Sequence, residues 1–446
     1  MKRKLFIAIT LSNYLIDRTG TPKVVMSHQE MANSAGAKYV ALFPVGRSSK
    51  YMRALFNDSI GVICDGEFKG IYSISQLLSF VNDLLDNKYI LECIYIHHLM
   101  GWNLDLIARL LKFYSSANVV VYAHDYYLCC TNYNLLNTEG QLCGASRLGD
   151  TQCLNCPYFD ESRKKEECIW GILRNELCRT VYAFPSKVVL RMVESFHPEI
   201  KGNTEIVPHQ QFIGEFHGNK SKLAYDHKIK VAYLGKQQSF KGWDSWCRLV
   251  EMHGDKYEFI VFNNEETPLP CGMRRVFVEF SANNPNAMID ALRFENVDVA
   301  LLWSQCLETY SYTCMEAYSS NVFIVTSHLS GNVADFVSST KSGTVLSSEI
   351  ELQQLFNDSS RFLEVLNEFR CREDCGPLML ATNTAFLDLP RSHKTASSFV
   401  YAEPHRFNRT CFQLTDYLYL PLRTLLTYRE KQKVIAATSE KYERIK

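Results

Sequence analysis

The chain carries no excess of either charge: Lys plus Arg and Asp plus Glu each number 48 in 446 residues. No global field therefore draws it to nucleic acid or to anionic lipid, and a charged ligand must be met by local groups. It has no apolar run near the roughly 20 residues that a membrane helix requires, no repeat of short period and no low-complexity tract. The opening "MKRKLFIAITLSNYLIDRTG" shows no small-residue cleavage pattern, and Asp17 and Arg18 follow its short apolar run. It reads as a first buried strand rather than a secretion signal. The sixteen cysteines are accordingly expected to be reduced thiols. The protein is expected to be cytoplasmic, either soluble or peripheral at the inner face of the membrane.

What is present is ordinary globular composition, 46% hydrophobic and 22% charged, in a chain long enough for more than one domain. Short β-branched runs alternate with helix-like stretches: "LFIAIT", "YVALFP", "IGVIC", "ECIYIH", "VVVYAH", "VYAFPS" and "TEIVPH" in the first half, then "KVAYLG", "YEFIVFN", "RRVFVEF", "VDVALLW" and "NVFIVTS" from Lys230. Such alternation predicts an α/β protein of two doubly wound, Rossmann-like domains with parallel sheets. Between the two series, Gln210 to His227 is polar and aperiodic and reads as the linker. The expected domains are residues 1–212 and 225–390. A helical C-terminal extension follows over residues 391–446, its apolar spacing interrupted by Pro421.

Ligands of open parallel sheets bind beyond the carboxyl ends of the strands. Glu308 falls just past "VDVALLW", and Tyr312 to Ser319 reads as the helix that follows, with Glu316 on its first turns. Backbone N–H groups between the two glutamates form an anion site at the helix start, and the carboxylates can address hydroxyls of one extended ligand. The bland alternative is a solvated Glu316 and a Glu308 that merely favours the helix dipole. "VAYLGKQQSFKGWDSW" tips the balance, because Lys236 and Lys241 with Gly235 and Gly242 follow the domain's first strand at the same edge. Lysine is a point-charge partner for phosphate, and glycine lets backbone approach it.

These residues, in this order, resemble the donor-binding half of the retaining GT-B glycosyltransferases numbered family four. "ETYSYTCME" matches the family's E-x7-E, Gly235 to Gly242 its diphosphate-contacting loop, and "SHLSGNVADFV" the segment that closes the domain. The resemblance extends more weakly through the first domain. There "DRTGTPKVV" stands at the family's Gly-rich loop, and "IYIHHLMGWNLDL", "VYAHDYYLCC" and "IVPHQ" match strand ends and the crossing strand. It implies Gly20, Thr21, His97 and His98 on the acceptor side. It also implies His124 near the hydroxymethyl end of the transferred sugar, with Asp125 orienting it.

By the same resemblance, Lys236 and Lys241 contact the diphosphate, Glu308 holds sugar hydroxyls and Glu316 the nucleotide ribose. Lys241, Glu308, His124 and Asp125 form the implied catalytic set, working without a cofactor. Position 236 is Lys where the family more often has Arg. The glycines usual between the glutamates are replaced by Thr309, Tyr310, Ser311, Tyr312 and Thr313. Backbone N–H groups survive any side chain, and Ser311 or Thr313 adds a hydroxyl.

Cys130, Cys143, Cys153 and Cys156 lie in a Cys-rich insert, residues 129–178, that ends its first part on "CLNC". Four thiolates suit a structural zinc, while buried cysteines also serve as small hydrophobes. The function implied is transfer of a sugar from a nucleotide-diphosphate sugar to a glycan, lipid-linked or protein acceptor with retention of configuration. A catalytically silent GT-B-like subunit binding a partner enzyme or glycan, and a nucleotide-sugar epimerase of the same fold, are the alternatives.

Overall fold

The structure is a computed structural model that describes residues 2–17, 19–45, 58–214, 221–279, 284–374, 376–391 and 414–443. The first half contains, in order, β1 (Arg3–Ile9), α1 (Gly20–Ser34), β2 (Lys38–Pro44), β3 (Ile60–Cys64), β4 (Glu67–Tyr72), α2 (Ile74–Asn87) and β5 (Tyr89–Ile96). It continues with α3 (Leu104–Phe113), β6 (Asn118–Tyr122), α4 (Phe159–Leu173), β7 (Thr180–Phe184), α5 (Lys187–Phe196) and β8 (Thr204–Ile206). The eight strands form one sheet in the order β4-β3-β2-β1-β5-β6-β7-β8. Along β1, Leu5, Ile7 and Ile9 enter one hydrophobic cluster and Phe6 and Ala8 another, so the strand is apolar on both faces because helices cover both.

The second half holds β9 (Gln210–Ile213), β10 (Lys230–Leu234), α6 (Trp243–His253), β11 (Glu258–Asn263), β12 (Met273–Phe277), α7 (Ala287–Phe294), β13 (Val299–Leu302) and α8 (Tyr312–Ser319). After these come β14 (Phe323–Ser327), α9 (Asn332–Thr340), β15 (Gly343–Leu346), α10 (Glu349–Asn357), α11 (Ser359–Arg370), β16 (Met379–Thr382) and α12 (Leu414–Glu443). Six parallel strands order as β12-β11-β10-β13-β14-β15. Here too β10 sends Val231 and Tyr233 to one cluster and Ala232 and Leu234 to the other.

Three expectations change. "IGVIC" is β3, which runs antiparallel to β2 and to β4, so the first sheet ends in a hairpin rather than a further parallel strand. An apolar run specifies a buried strand but not its direction. The start of the expected linker is β9, paired antiparallel with β16, while residues 215–220 lie outside the described residues. Pro421 does not divide the tail, since α12 runs from Leu414 to Glu443, and residues 392–413 of the expected extension lie outside the described residues. Proline removes one helical hydrogen bond, and docking supplies others: Thr427 Oγ1 accepts from the Ile71 amide at 3.0 Å, and Asn13 Nδ2 donates to Glu430 Oε1 at 3.1 Å.

After β16 the chain returns to the first sheet. Phe386 is fully buried there, stacked on His28 at 3.9 Å, and its carbonyl accepts the Tyr95 hydroxyl. The insert is anchored by α4, whose buried Trp170 stacks on His197 at 3.7 Å and donates Nε1–H to the Leu128 carbonyl. No helix among the described residues is long and apolar enough to cross a membrane.

Candidate functional site

The carboxyl edge of β10 leads into a loop that ends at Gly242, in the left-handed region at φ 86°. A Cβ at this position would overlap the carbonyl of Trp303, just beyond β13, so only glycine lets the two loops touch. The contact delivers Lys241 to Glu308: Nζ to Oε1 is 2.5 Å, and the Ser304 hydroxyl donates to the same oxygen. Burial pulls the Lys241 pKa down, but Glu308 and Cys306 outweigh it and hold the ammonium above the ordinary lysine value. Gly331, at φ 57°, serves the other side. A Cβ there would stand 2.6 Å from the Glu308 nitrogen, and the Glu308 carbonyl accepts from the Asn332 amide at 2.8 Å.

Helix α8 spans the residues expected of it, with Ser311 as N-cap accepting from the Cys314 amide and sharing a 3.0 Å hydrogen bond with Thr313. Those two hydroxyls are thus engaged at the helix start. Glu316 is buried, at 3% exposure, and its Oε2 has no hydrogen-bond partner. Burial raises its pKa to about 7 against the opposing pull of Lys23. Lys23 comes from the first turns of α1 and lies over the Tyr312 ring at 4.2 Å, and burial lowers its pKa.

The histidines do not act alike. His97 is bonded at both ring nitrogens, to His124 Nε2 at 2.9 Å and to the Tyr39 hydroxyl at 3.3 Å. His98 accepts the Met100 amide on Nδ1, so its Nε2 carries the hydrogen and donates to Asp125 at 3.1 Å. Asp125 therefore orients His98, not His124; its other oxygen caps the turn at Tyr127. His124 alone of the three keeps a ring nitrogen, Nδ1, without a partner. Burial, then His209 and His97, holds its pKa well below the usual value, so the ring is neutral. Its carbonyl accepts the Thr309 hydroxyl at 2.7 Å, which ties the first domain's strand end directly to the loop between the glutamates.

Lys236 is exposed. Gly20 opens α1 with space around it and without a positive φ, so neither shape nor contacts demand glycine; Thr21 follows in the first turn. Among the described residues no group of three or more His, Cys, Asp or Glu is placed to hold a metal ion. Cys130 faces Ser162 at 3.2 Å. Burial raises the Cys153 thiol, and Cys143, Cys156 and Cys130 add to the rise, as neighbouring thiols do. Trp170 also anchors the insert, through His197 and the Leu128 carbonyl.

Two residues of the cleft were not singled out by the sequence. His209, in "IVPHQ", stands 5.2 Å from His124 and 4.6 Å from Tyr310, its pKa pushed down to about 3 by burial. Lys23 is the other. The signal for each is its position, His209 at the crossing between the two strand series and Lys23 in the first turn after the loop that follows β1.

No protein-family model matches the chain, and no curated protein matches it. Among solved structures it is similar to sucrose-phosphate synthase from Thermosynechococcus elongatus, at 12% identity over 84% of this chain and 95% of that one, with a TM-score of 0.52. Similar too are HepE of Anabaena in complex with UDP-glucose (11% identity, 83% and 93% covered, TM-score 0.48) and a glycosyltransferase from Rickettsia africae (7%, 84% and 95%, 0.49). The fold is that of the GT-B glycosyltransferases: two Rossmann-like sheets with a cleft between their carboxyl edges, and a C-terminal helix on the first.

Proposed function

We propose that the chain is a glycosyltransferase that moves a sugar from a nucleotide-diphosphate sugar to a glycan, lipid-linked or protein acceptor, with retention of configuration. A shared fold does not by itself carry an activity. The observation that carries this reading is the Lys241–Glu308 pair, set beside the start of α8 and joined through Thr309 to His124. The leaving diphosphate develops charge as the bond to the sugar breaks. Lys241, Lys236 and the backbone N–H groups at the α8 N-terminus supply fixed positive potential there. Glu308 accepts sugar hydroxyls and faces the cation-like sugar. Glu316, with an oxygen lacking a hydrogen bond, suits the ribose hydroxyls. The acceptor hydroxyl enters on the face the diphosphate leaves, and neither carboxylate need act as a nucleophile.

The reading is tested by incubating the full chain with a panel of nucleotide sugars and measuring nucleotide release with and without candidate acceptors, beside melting-temperature shifts with nucleoside diphosphates. Release that depends on Lys241 and Glu308 supports transfer. A folded chain that binds and releases no nucleotide rejects it. The engagement of Glu308 by both Lys241 and Ser304 favours a second reading, a catalytically silent subunit that binds a partner enzyme or glycan; it predicts glycan or partner binding with no turnover.

A further inference from the structure

We propose that Lys23 is the first domain's cation for a phosphate group of the ligand that occupies the cleft. The proposal rests on the donor site described above and extends it to Lys23 of "DRTGTPKVV", in the first domain. Lys23 projects from the opening turns of α1, a fifteen-residue helix with no acidic residue in its first turn and no side-chain cap. Its ammonium reaches across to α8, over the ring of Tyr312 and within the field of Glu316.

The second and independent observation is Glu316 itself. It is 3% exposed and one carboxyl oxygen has no hydrogen-bond partner, an arrangement that calls for a donor from a ligand. A ligand hydroxyl placed on that oxygen takes over part of what Lys23 now offers the carboxyl. Lysine is a point charge on a flexible four-carbon stem, so the released ammonium can turn toward a nearby anion. Lys241 and Lys23 then stand on either side of the short loop Thr309–Ser311, one touching Glu308 and the other Tyr312. Two ammonium groups from different domains, flanking backbone N–H groups at a helix start, suit a ligand with two or more negative charges. The chemistry is that of a diphosphate or a phosphomonoester, borne either by the donor nucleotide or by a phosphorylated acceptor.

The test is calorimetric titration of the full chain and of Lys23→Ala and Lys23→Arg. The probes are UDP, GDP, ADP and dTDP, the matching nucleosides, and glucose 6-phosphate. The expected result is a roughly tenfold weaker Kd for the best nucleoside diphosphate in Lys23→Ala, less than twofold change for its nucleoside, and recovery to within about threefold in Lys23→Arg. A loss confined to glucose 6-phosphate supports the same role with the acceptor as the phosphate source. Equal weakening of diphosphate and nucleoside, or no weakening of any phosphate ligand, overturns the proposal, with unchanged melting temperature confirming that the variants are folded. If the unaltered chain binds no nucleoside diphosphate, the donor reading fails separately, and Lys23 keeps its role only if glucose 6-phosphate binding depends on it.

Discussion

Lys241 Nζ and Glu308 Oε1 lie 2.5 Å apart although 67 residues separate them in the chain. The pair exists because Gly242 lets the loop after β10 rest on Trp303, so a conformational requirement at one residue sets the electrostatics of two others. Removing the ammonium leaves Glu308 with only Ser304 and strips fixed positive charge from the leaving-group side. Lys241→Ala is therefore expected to lower kcat for sugar transfer by about 10²-fold or more, with a smaller effect on KM, in steady-state assays of nucleotide release.

The glycine itself gives a structural counterpart. Gly242→Ala combines a left-handed backbone with overlap on the Trp303 carbonyl. It should cost about 2–4 kcal/mol in denaturant unfolding and lower turnover as Lys241 is displaced. A variant that is as stable and as active as the unaltered chain would contradict the placement of this loop.

Glu316 predicts a pH dependence of definite sign. Its pKa is raised from 4.5 to about 7 in the folded chain, so folding disfavours the ionised form. The stability it contributes is fully present below about pH 4.5 and is lost as the pH rises through 7. At about 1.4 kcal/mol per pH unit, the difference between the unaltered chain and Glu316→Gln should change by up to about 3 kcal/mol between pH ~4 and pH ~8. Urea unfolding of both proteins across that range measures it; parallel profiles would show that Glu316 does not titrate in this way.

For ligand binding, the same carboxyl has an oxygen without a hydrogen bond. Glu316→Ala should weaken nucleoside diphosphate binding about tenfold or more by titration calorimetry, the scale of a hydrogen bond to a charged group.

Trp170 predicts the stability of the insert. It is fully buried, stacks on His197 and bonds Leu128. Trp170→Ala should cost about 3–5 kcal/mol and expose the insert to limited proteolysis, read as earlier cleavage within residues 129–178.

The strands were legible because they are buried on both faces, and "KVAYLG" or "VDVALLW" has few other readings. Helix α8 was legible to the residue because nothing in Tyr312 to Ser319 breaks a helix, and the structure caps it with Ser311. The direction of β3 was not, since a run such as "IGVIC" fits either a parallel or an antiparallel neighbour. Nor was β9, whose partner β16 begins with Met379, 166 residues beyond Ile213. In the candidate site, Lys241 and Glu308 were found by their positions after strands. The pairing of Asp125 with His98 was hidden, because adjacency in "HDYY" suggested His124 while the hydrogen bond is set by how β5 and β6 lie side by side. Lys23 and His209 were missed for the same reason: their roles arise from contacts between domains.

The burial of Phe386 against His28 and Tyr95 has a consequence for biogenesis. A chain made from its amino end has laid down every strand of its first sheet by Ile206, yet lacks the ring that fills one side of that sheet until some 180 residues later. The first domain must wait, partly unfilled, while the second is synthesised. A fragment ending at Phe212 should accordingly unfold at lower denaturant than the first domain does in the full chain, by at least the roughly 3–5 kcal/mol that a buried phenylalanine contributes, since Leu389 and the docked α12 are missing with it.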